Sequence, residues 1–390
     1  MKKINVLYYE VTSGYGGSSR CLLSWLKRLD KERYYPIVVV HFNGPAIKEI
    51  RELGVKTITI PFKPFVASEV TLLFSYIFLF FEALVHYIPT IIYIYIIIKK
   101  YQINLIHLNT KVNGVVSGII AAKLSGTPCI CHLHDIKAPI KRERILAKWI
   151  DCFIVLTDKA LKLYEKEYPN KRLELIYNGI NVDEYSRILN NNAGGLKEEL
   201  DIKNKEKVIG IAGRLVKGKG FSDFIKAAKI VLRDISNVKF LVVGSAPKEG
   251  KAFEEYLKKM TRELGLEQEV LFTGWRQDIK ETMLVFDVLV QASSTFPEGF
   301  GLTCVEAMAL KKPVVVTNIP GPSEIVLDGI TGFVVPPGKP EALAVAIKRL
   351  ILDNNLAKKM GESGRKRVEE FFNLDLTIKK IEELYSIFNN

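Results

Sequence analysis

The hydrophobic period of this chain switches back and forth between two values, and the whole pattern occurs twice. Short runs rich in Val, Ile and Leu, each the length of one buried strand, alternate with stretches whose apolar residues recur every three or four positions. In the first half the runs are Ile4–Tyr9, Pro36–Phe42, Thr57–Ile60, Leu105–Leu108, Pro128–His132 and Cys152–Leu156. Helices are predicted between them around Ser18–Leu29, Ala46–Leu53, Gly114–Leu124 and Ile140–Ile150. The polar sequence Asn-Asn-Asn-Ala-Gly-Gly at 190–195 reads as a flexible break, and then the pattern restarts. Strands at Val208–Ala212, Val238–Val243, Val270–Thr273, Val288–Gln291 and Pro313–Thr317 alternate with helices at Ser222–Leu232, Lys251–Leu264, Leu302–Leu310 and Glu341–Leu352. Parallel strands need a crossover connection, usually a helix. The sequence is therefore constrained to an α/β fold of two Rossmann-like domains facing a central cleft. Their expected extents are 1–190 and 191–373, with the amphipathic segment 374–390 packing back on the first. Ligands are expected at the carboxyl ends of the strands.

Charge is divided unevenly between the halves. Residues 1–190 hold 26 Lys and Arg against 16 Asp and Glu, whereas 191–390 hold 30 against 27. An anionic partner is thus expected at the first half: phospholipid, a phosphorylated substrate or nucleic acid. The apolar share of 48% excludes a disordered chain, and five cysteines without CxxC spacing argue against both a disulfide framework and a zinc site. The apolar run that follows Lys2 and Lys3 ends at Glu10, too short for a signal peptide, so a cytoplasmic chain is expected. Val70–Ile98 is almost continuously apolar, but Glu82, His86 and Pro89 interrupt it, and Ser75, Glu82, His86 and Tyr93 fall near helical spacing. One crossing would also separate strands that belong to one sheet. One or two helices broken near Pro89, buried or lying at a membrane surface, are expected rather than a span.

Two segments carry chemistry. In Phe-Pro-Glu-Gly-Phe-Gly-Leu-Thr-Cys-Val-Glu-Ala-Met, residues 296–308, a glycine-flanked turn leads into a helix. The amides of Gly299, Phe300, Gly301 and Leu302 are expected to point out of its N-terminus, where phosphate binds well. Glu298 precedes the turn and Glu306 lies on the helix; beside phosphate, two carboxylates suit hydroxyl-bearing sugars. The bland alternative is a helix-start residue and a solvated one. In Ala-Gly-Arg-Leu-Val-Lys-Gly-Lys-Gly, residues 212–220, Arg214 offers a planar fork and Lys219 a compact ammonium, at the end of a strand. Otherwise this is a solvated lysine-rich loop.

Together these residues resemble the retaining GT-B glycosyltransferases of family 4. Tyr-Asn-Gly-Ile-Asn-Val-Asp (177–183), Thr-Gly-Trp (273–275), Pro-Gly-Pro-Ser-Glu-Ile-Val (320–326) and Gly-Tyr-Gly-Gly (14–17) extend the likeness over nearly the whole chain. The resemblance implies a GT-B fold and transfer of a sugar from a nucleotide-sugar donor to an acceptor hydroxyl. Arg214 and Lys219 would then neutralise the leaving diphosphate, Glu306 would hold the ribose and Glu298 the donor sugar. Gly299 to Leu302 would offer amides, the loop at Trp275–Arg276 would border the base, and Gly16 and Gly17 would let the first domain approach the donor phosphate. His134, in Cys-His-Leu-His-Asp (131–135), matches the family's histidine near the transferred sugar, with His132 the neighbouring candidate. Ala246 and Asn181 depart from the family pattern at positions given no chemical role.

No Asp-x-Asp occurs, so no metal or other cofactor is expected, and front-face attack by the acceptor is the preferred route. A sugar or lipid-linked acceptor, in cell-surface polysaccharide or glycolipid assembly, and peripheral docking on an anionic membrane are further expectations; a nucleic-acid partner is not expected. A dinucleotide oxidoreductase lacks both G-x-G-x-x-G and the acidic residue after its second strand. A GT-B epimerase or phosphorylase and a non-catalytic sugar-binding protein are the remaining alternatives.

Overall fold

The computed structural model describes residues 3–11, 16–62, 83–190, 194–203 and 205–388. The chain divides into two compact units, Met1–Gly179 with Leu374–Asn390, and Ile180–Asn373. The division falls after Gly179, not at the Asn-rich stretch. The reason is packing: helix Val182–Leu189 lies against helices Leu302–Ala309 and Ile279–Thr282 of the second unit. Gly194 opens a helix that runs to Glu199, so the expected break is helical from that residue.

The first unit contains strands β1 (Ile4–Glu10), β2 (Tyr34–Val40), β3 (Lys56–Thr59), β4 (Leu105–Leu108), β5 (Cys129–His132), β6 (Cys152–Val155) and β7 (Arg172–Leu175). They form one parallel sheet in the order β3-β2-β1-β4-β5-β6-β7. Strands buried on both faces must be apolar throughout, which is why the runs lack polar alternation. The second unit contains β8 (Lys207–Ala212), β9 (Val238–Val243), β10 (Val270–Gly274), β11 (Val288–Gln291), β12 (Val314–Thr317) and β13 (Gly332–Val335). Their order is β10-β9-β8-β11-β12-β13, all parallel. Chain order reverses between β1 and β4 and between β8 and β11, and these switch points are where open parallel sheets hold ligands.

Part of the apolar region, 70–82, lies outside the described residues, as do Gly14 and Tyr15. Beyond it a short π-helical turn, Ala83–Tyr87, runs into helix Ile88–Lys100, with Pro89 in the first turn where a missing amide proton costs nothing. His86 is buried; Ser75 and Glu82, which share its helical spacing, lie outside the described residues. Among the described residues no helix is long and apolar enough to cross a membrane. Helix Ile88–Lys100 packs on helix Val116–Ser125, which in turn meets the turn Ala147–Trp149.

The segment Leu374–Ile387 packs against helix Gly17–Arg28. Its Tyr385 hydroxyl lies 2.5 Å from His107 Nδ1 and 3.0 Å from the Tyr8 hydroxyl, joining the C-terminal helix to β1 and β4 through buried groups. His107 Nε2 lies 3.3 Å from His132 Nδ1, and the His132 ring stacks on Trp25 at 4.7 Å. Tyr9 donates to His41 Nε2 at 2.5 Å, because His41 Nδ1 already donates to the Phe62 carbonyl at 3.0 Å. Burial disfavours the imidazolium, pushing His107 down to about 3, His41 to about 4 and His132 well below the ordinary 6.5.

These shifts set a pH window. Below 6.5 the unfolded chain takes up protons that the folded chain refuses until about 4, so stability is full above 6.5 and is lost as pH falls below it. The unfolding midpoint of the full chain is expected to drop steadily between pH 6.5 and 5, above the range of ordinary carboxylates. A midpoint that stays flat over that interval would show that these histidines are protonated in the fold.

Candidate active site

The β8–β11 switch point is built by two loops joined through their backbones. After β8 the chain turns through Gly213–Gly220, and after β11 through Ala292–Gly301. The Gly218 carbonyl accepts from the amides of Ser294 at 2.7 Å and Phe296 at 3.2 Å. Gly220 has φ +80°, and a Cβ there would stand 1.9 Å from the Ala292 carbonyl oxygen. The loops therefore come closer than any side chain at 220 would allow.

This contact places Lys219 on Glu298. Lys219 Nζ lies 2.9 Å from Glu298 Oε1 and 4.5 Å from the centre of the Phe296 ring. Ser293 Oγ donates to the same carboxylate oxygen at 2.7 Å. With side chains 18% and 10% exposed, this pair is not a solvated surface bridge. Glu298 Oε2 is left without a hydrogen-bond partner among the described residues. Arg214 is exposed in the same loop and makes no ion pair among the described residues.

Gly301, at φ +111°, precedes helix Leu302–Ala309. The amides of Leu302 and Thr303 have no carbonyl behind them in the helix, and the Gly301 carbonyl accepts from Cys304 at 2.9 Å. The helix is anchored from below: Phe300 packs on Phe372, and Cys304 Sγ donates to Gln291 Oε1 at 2.6 Å. Glu306 is 3% exposed, so the solvated alternative fails for it. Arg214, Lys219, Glu298, Glu306 and the 299–302 turn thus belong to one unit and to two adjoining loops and the helix they lead into.

The loop Gly274–Asp278 uses its charge otherwise. Arg276 is held by Asp278 at 2.6 Å and Glu199 at 2.7 Å, and these acids push its proton affinity up. It fixes the loop, whereas Trp275 stands 62% exposed. A cleft of about 550 Å³ opens beside the glycine loop, lined by Lys217, Ser222, Asp223, Phe253, Tyr256 and Thr295.

In the first unit the polar strand ends converge. Asn109, directly after β4, meets Glu10 at the end of β1 and His134 just beyond β5. His134 stacks on His132 at 4.6 Å, and burial lowers its pKa to about 4. Gly16 has φ −82° and, among the described residues, nothing within 4 Å of a Cβ built there, so those residues make no demand for glycine; Gly17 opens the following helix. Asn109, Glu10, Ser293 and Phe296 were not singled out on sequence. The signal for the first two was a polar residue ending an otherwise apolar strand.

Comparison with known proteins adds independent findings. The family model "Glycosyl transferases group 1" matches residues 195–367, and "Glycosyltransferase Family 4" matches residues 15–184. The chain is 26% identical over 320 residues to an Escherichia coli UDP-Gal:alpha-D-GlcNAc-diphosphoundecaprenol alpha-1,3-galactosyltransferase, covering 78% of this chain and 80% of that one. It is 36% identical over 214 residues to the Staphylococcus aureus capsular polysaccharide biosynthesis glycosyltransferase CapM, covering 54% and 53%. Among solved structures, Anabaena HepE in complex with UDP superposes with a TM-score of 0.82 at 24% identity, covering 98% and 100%. A Rickettsia africae glycosyltransferase does so with 0.85 at 24%, covering 100% and 99%. These likenesses establish the GT-B fold.

The loop contact yields a stability test. Gly220→Ala forces a Cβ onto a carbonyl at positive φ, at a cost of about 1–3 kcal/mol, and is expected to lower the unfolding midpoint by several degrees. Gly16→Ala is expected to leave the midpoint unchanged. Equal midpoints for both variants would mean that the two loops are not held as described.

Proposed function

The chain belongs to the GT-B glycosyltransferases of family 4, and on that premise we propose how it moves a sugar from a nucleotide-sugar donor to an acceptor hydroxyl. The single observation that carries the reading is the Lys219–Glu298 pair, joined in the same two loops by Arg214, which makes no ion pair among the described residues, and by the helix start at Leu302 and Thr303. Departure of the nucleoside diphosphate adds negative charge to the leaving phosphate. A guanidinium, an ammonium and two amides, fixed before the reaction starts, stabilise that charge where it develops. Glu298 aims Lys219 with Oε1 and keeps Oε2 for the hydroxyls of the donor sugar. Glu306 holds the ribose, and Trp275 borders the base. Two protein cations take the place of a metal ion, and the acceptor attacks from the face that the diphosphate leaves, so configuration is retained. Uridine diphosphate sugars are the first donors to test, since the E. coli relative's name specifies UDP-galactose and HepE was solved with UDP.

Loss of either cation is expected to slow transfer about 10²-fold or more, the scale of removing a preorganised charge partner. The variants are Arg214→Ala and Lys219→Ala, and EDTA should leave the wild-type rate intact. A strict requirement for Mg²⁺ or Mn²⁺ would contradict the metal-free reading.

We further propose that the first unit docks on an anionic membrane and takes a lipid-linked or polysaccharide acceptor. One face of this unit carries Leu84, Ile88, Ile92 and Ile96 at four-residue spacing, each 46% exposed or more. Helix Val116–Ser125, with exposed Leu124, lies beside it; Ile145 and Trp149 are exposed too, whereas Leu146 and Ile150 of the same segment are buried in the core. Lys99, Lys100, Lys141, Arg142 and Lys148 are exposed around them, whereas Arg144 is paired with Glu167. An apolar strip edged by cations suits the headgroup boundary, where each charge is worth about 1 kcal/mol. The undecaprenol-linked acceptor in the E. coli relative's name supports the same reading.

In co-sedimentation with vesicles, binding is expected to rise with anionic lipid and fall with salt. Replacing Lys141, Arg142 and Lys148 with Gln should weaken it on the order of 10²-fold. Indifference to lipid charge would leave an enzyme that meets its acceptor in solution.

A further inference from the structure

The β1–β4 switch point of the first unit holds a hydrogen-bonded chain in which His134 matches the family pattern and Asn109 and Glu10 carry no role that the resemblance assigns. Asn109 Nδ2 lies 2.5 Å from Glu10 Oε2 and 3.3 Å from the Ser18 carbonyl oxygen. A carbonyl only accepts, so the amide nitrogen, not the amide oxygen, occupies that side. Asn109 Oδ1 is thereby turned to His134, 2.8 Å from Nε2. An amide oxygen cannot donate, so Nε2 must carry the proton. Rotation of the imidazole is restricted as well. His134 lies flat on His132 at 4.6 Å and 10°, and His132 lies flat on Trp25 at 4.7 Å and 9°. Burial keeps the ring neutral near pH 7, with a pKa of about 4. Nδ1 is then an unprotonated acceptor, with no hydrogen-bond partner among the described residues.

We propose that Asn109 is a positioning residue for the transfer: anchored by Ser18 and Glu10, its amide oxygen locks His134 as the Nε2–H tautomer and so offers Nδ1 to a hydroxyl of the bound sugar. The proposal rests on the reading of His134 as the residue that meets the sugar. The tautomer decides what is recognised. Nδ1 can accept from a hydroxyl but cannot donate to one, so the group it meets must itself be a donor. Asn109 and His134 come from the carboxyl ends of neighbouring strands, and Glu10 from the strand across the switch point, where a ligand of an open parallel sheet is held.

Histidine-labelled full-length protein allows a test without substrate, because the five histidines give a small two-bond ¹H–¹⁵N spectrum that His→Gln variants assign. At pH 7 the His134 pattern is expected to show a protonated Nε2 and a bare Nδ1. A protonated Nδ1, alone or together with Nε2, would overturn the lock. In Asn109→Leu the pattern should move to a mixture of tautomers while the unfolding transition remains cooperative; an unchanged pattern would also overturn the lock. The wild-type spectrum decides even if this variant fails to fold. In transfer assays Asn109→Leu is expected to lower kcat about tenfold, the scale of one hydrogen bond, with the KM for donor unchanged. An unchanged kcat would overturn the positioning role. Full transfer by His134→Gln beside an intact wild-type tautomer would instead refute the reading of His134 at the sugar, and with it the hydroxyl assigned to Nδ1.

Discussion

The candidate site depends on the carbonyl of Gly218, which accepts from the amides of Ser294 and Phe296 and so ties the loop after β8 to the loop after β11. Neither loop has a sheet ladder to hold it. Joined, they leave Lys219 little freedom, and its ammonium settles between Glu298 and the Phe296 ring. The approach is possible only because position 220 lacks a side chain. Preorganisation of this kind matters because a charge fixed in advance stabilises a developing charge without reorganising at the moment of reaction. The pairing of Lys219 with a carboxylate is consistent with that role. Glu298 supplies the aim, while Arg214, unpaired among the described residues, supplies uncompensated positive charge.

The first unit answers the same topological problem with different chemistry. Its switch point offers an amide and stacked imidazoles that burial keeps unprotonated, beside one carboxylate at the end of β1. Neutral donors and acceptors recognise hydroxyls without competing for the diphosphate. The exposed cations Lys99, Lys100, Lys141, Arg142 and Lys148 lie on elements that also carry exposed apolar residues, whereas the cations proposed for chemistry sit in the more nearly neutral half.

Strands buried on both faces were legible because burial demands uninterrupted apolar runs; Leu105–Leu108, Val238–Val243 and Val288–Gln291 were read to the residue. Glycine-rich segments at strand ends were legible because few other residues permit such loops. What escaped has physical reasons. β7, Arg-Leu-Glu-Leu, is an edge strand with charged positions and lacks an apolar run. Helix Asn354–Phe371 is strongly charged and carries Gly361 and Gly364, residues of low helix propensity that here serve close packing: a Cβ at 361 would stand 1.9 Å from the Lys311 carbonyl oxygen. The end of the first unit was placed at a polar stretch, though packing of helix Val182–Leu189 decides it. Arg276, which the resemblance placed in the loop bordering the base, has its guanidinium paired with Asp278 and Glu199, partners that sequence alone cannot show. Asn109 is the sharper case, since its meaning lies in three partners that only the fold brings together.

The account turns on where the diphosphate sits. A crystal structure of the full chain with UDP, grown without added metal, places it directly. The expected result has diphosphate oxygens within about 3 Å of Lys219 Nζ, the Arg214 guanidinium and the amides of Leu302 and Thr303. A diphosphate lodged in the neighbouring cleft beside Ser222, Asp223 and Tyr256, or one held away from Lys219 and Arg214, would contradict it.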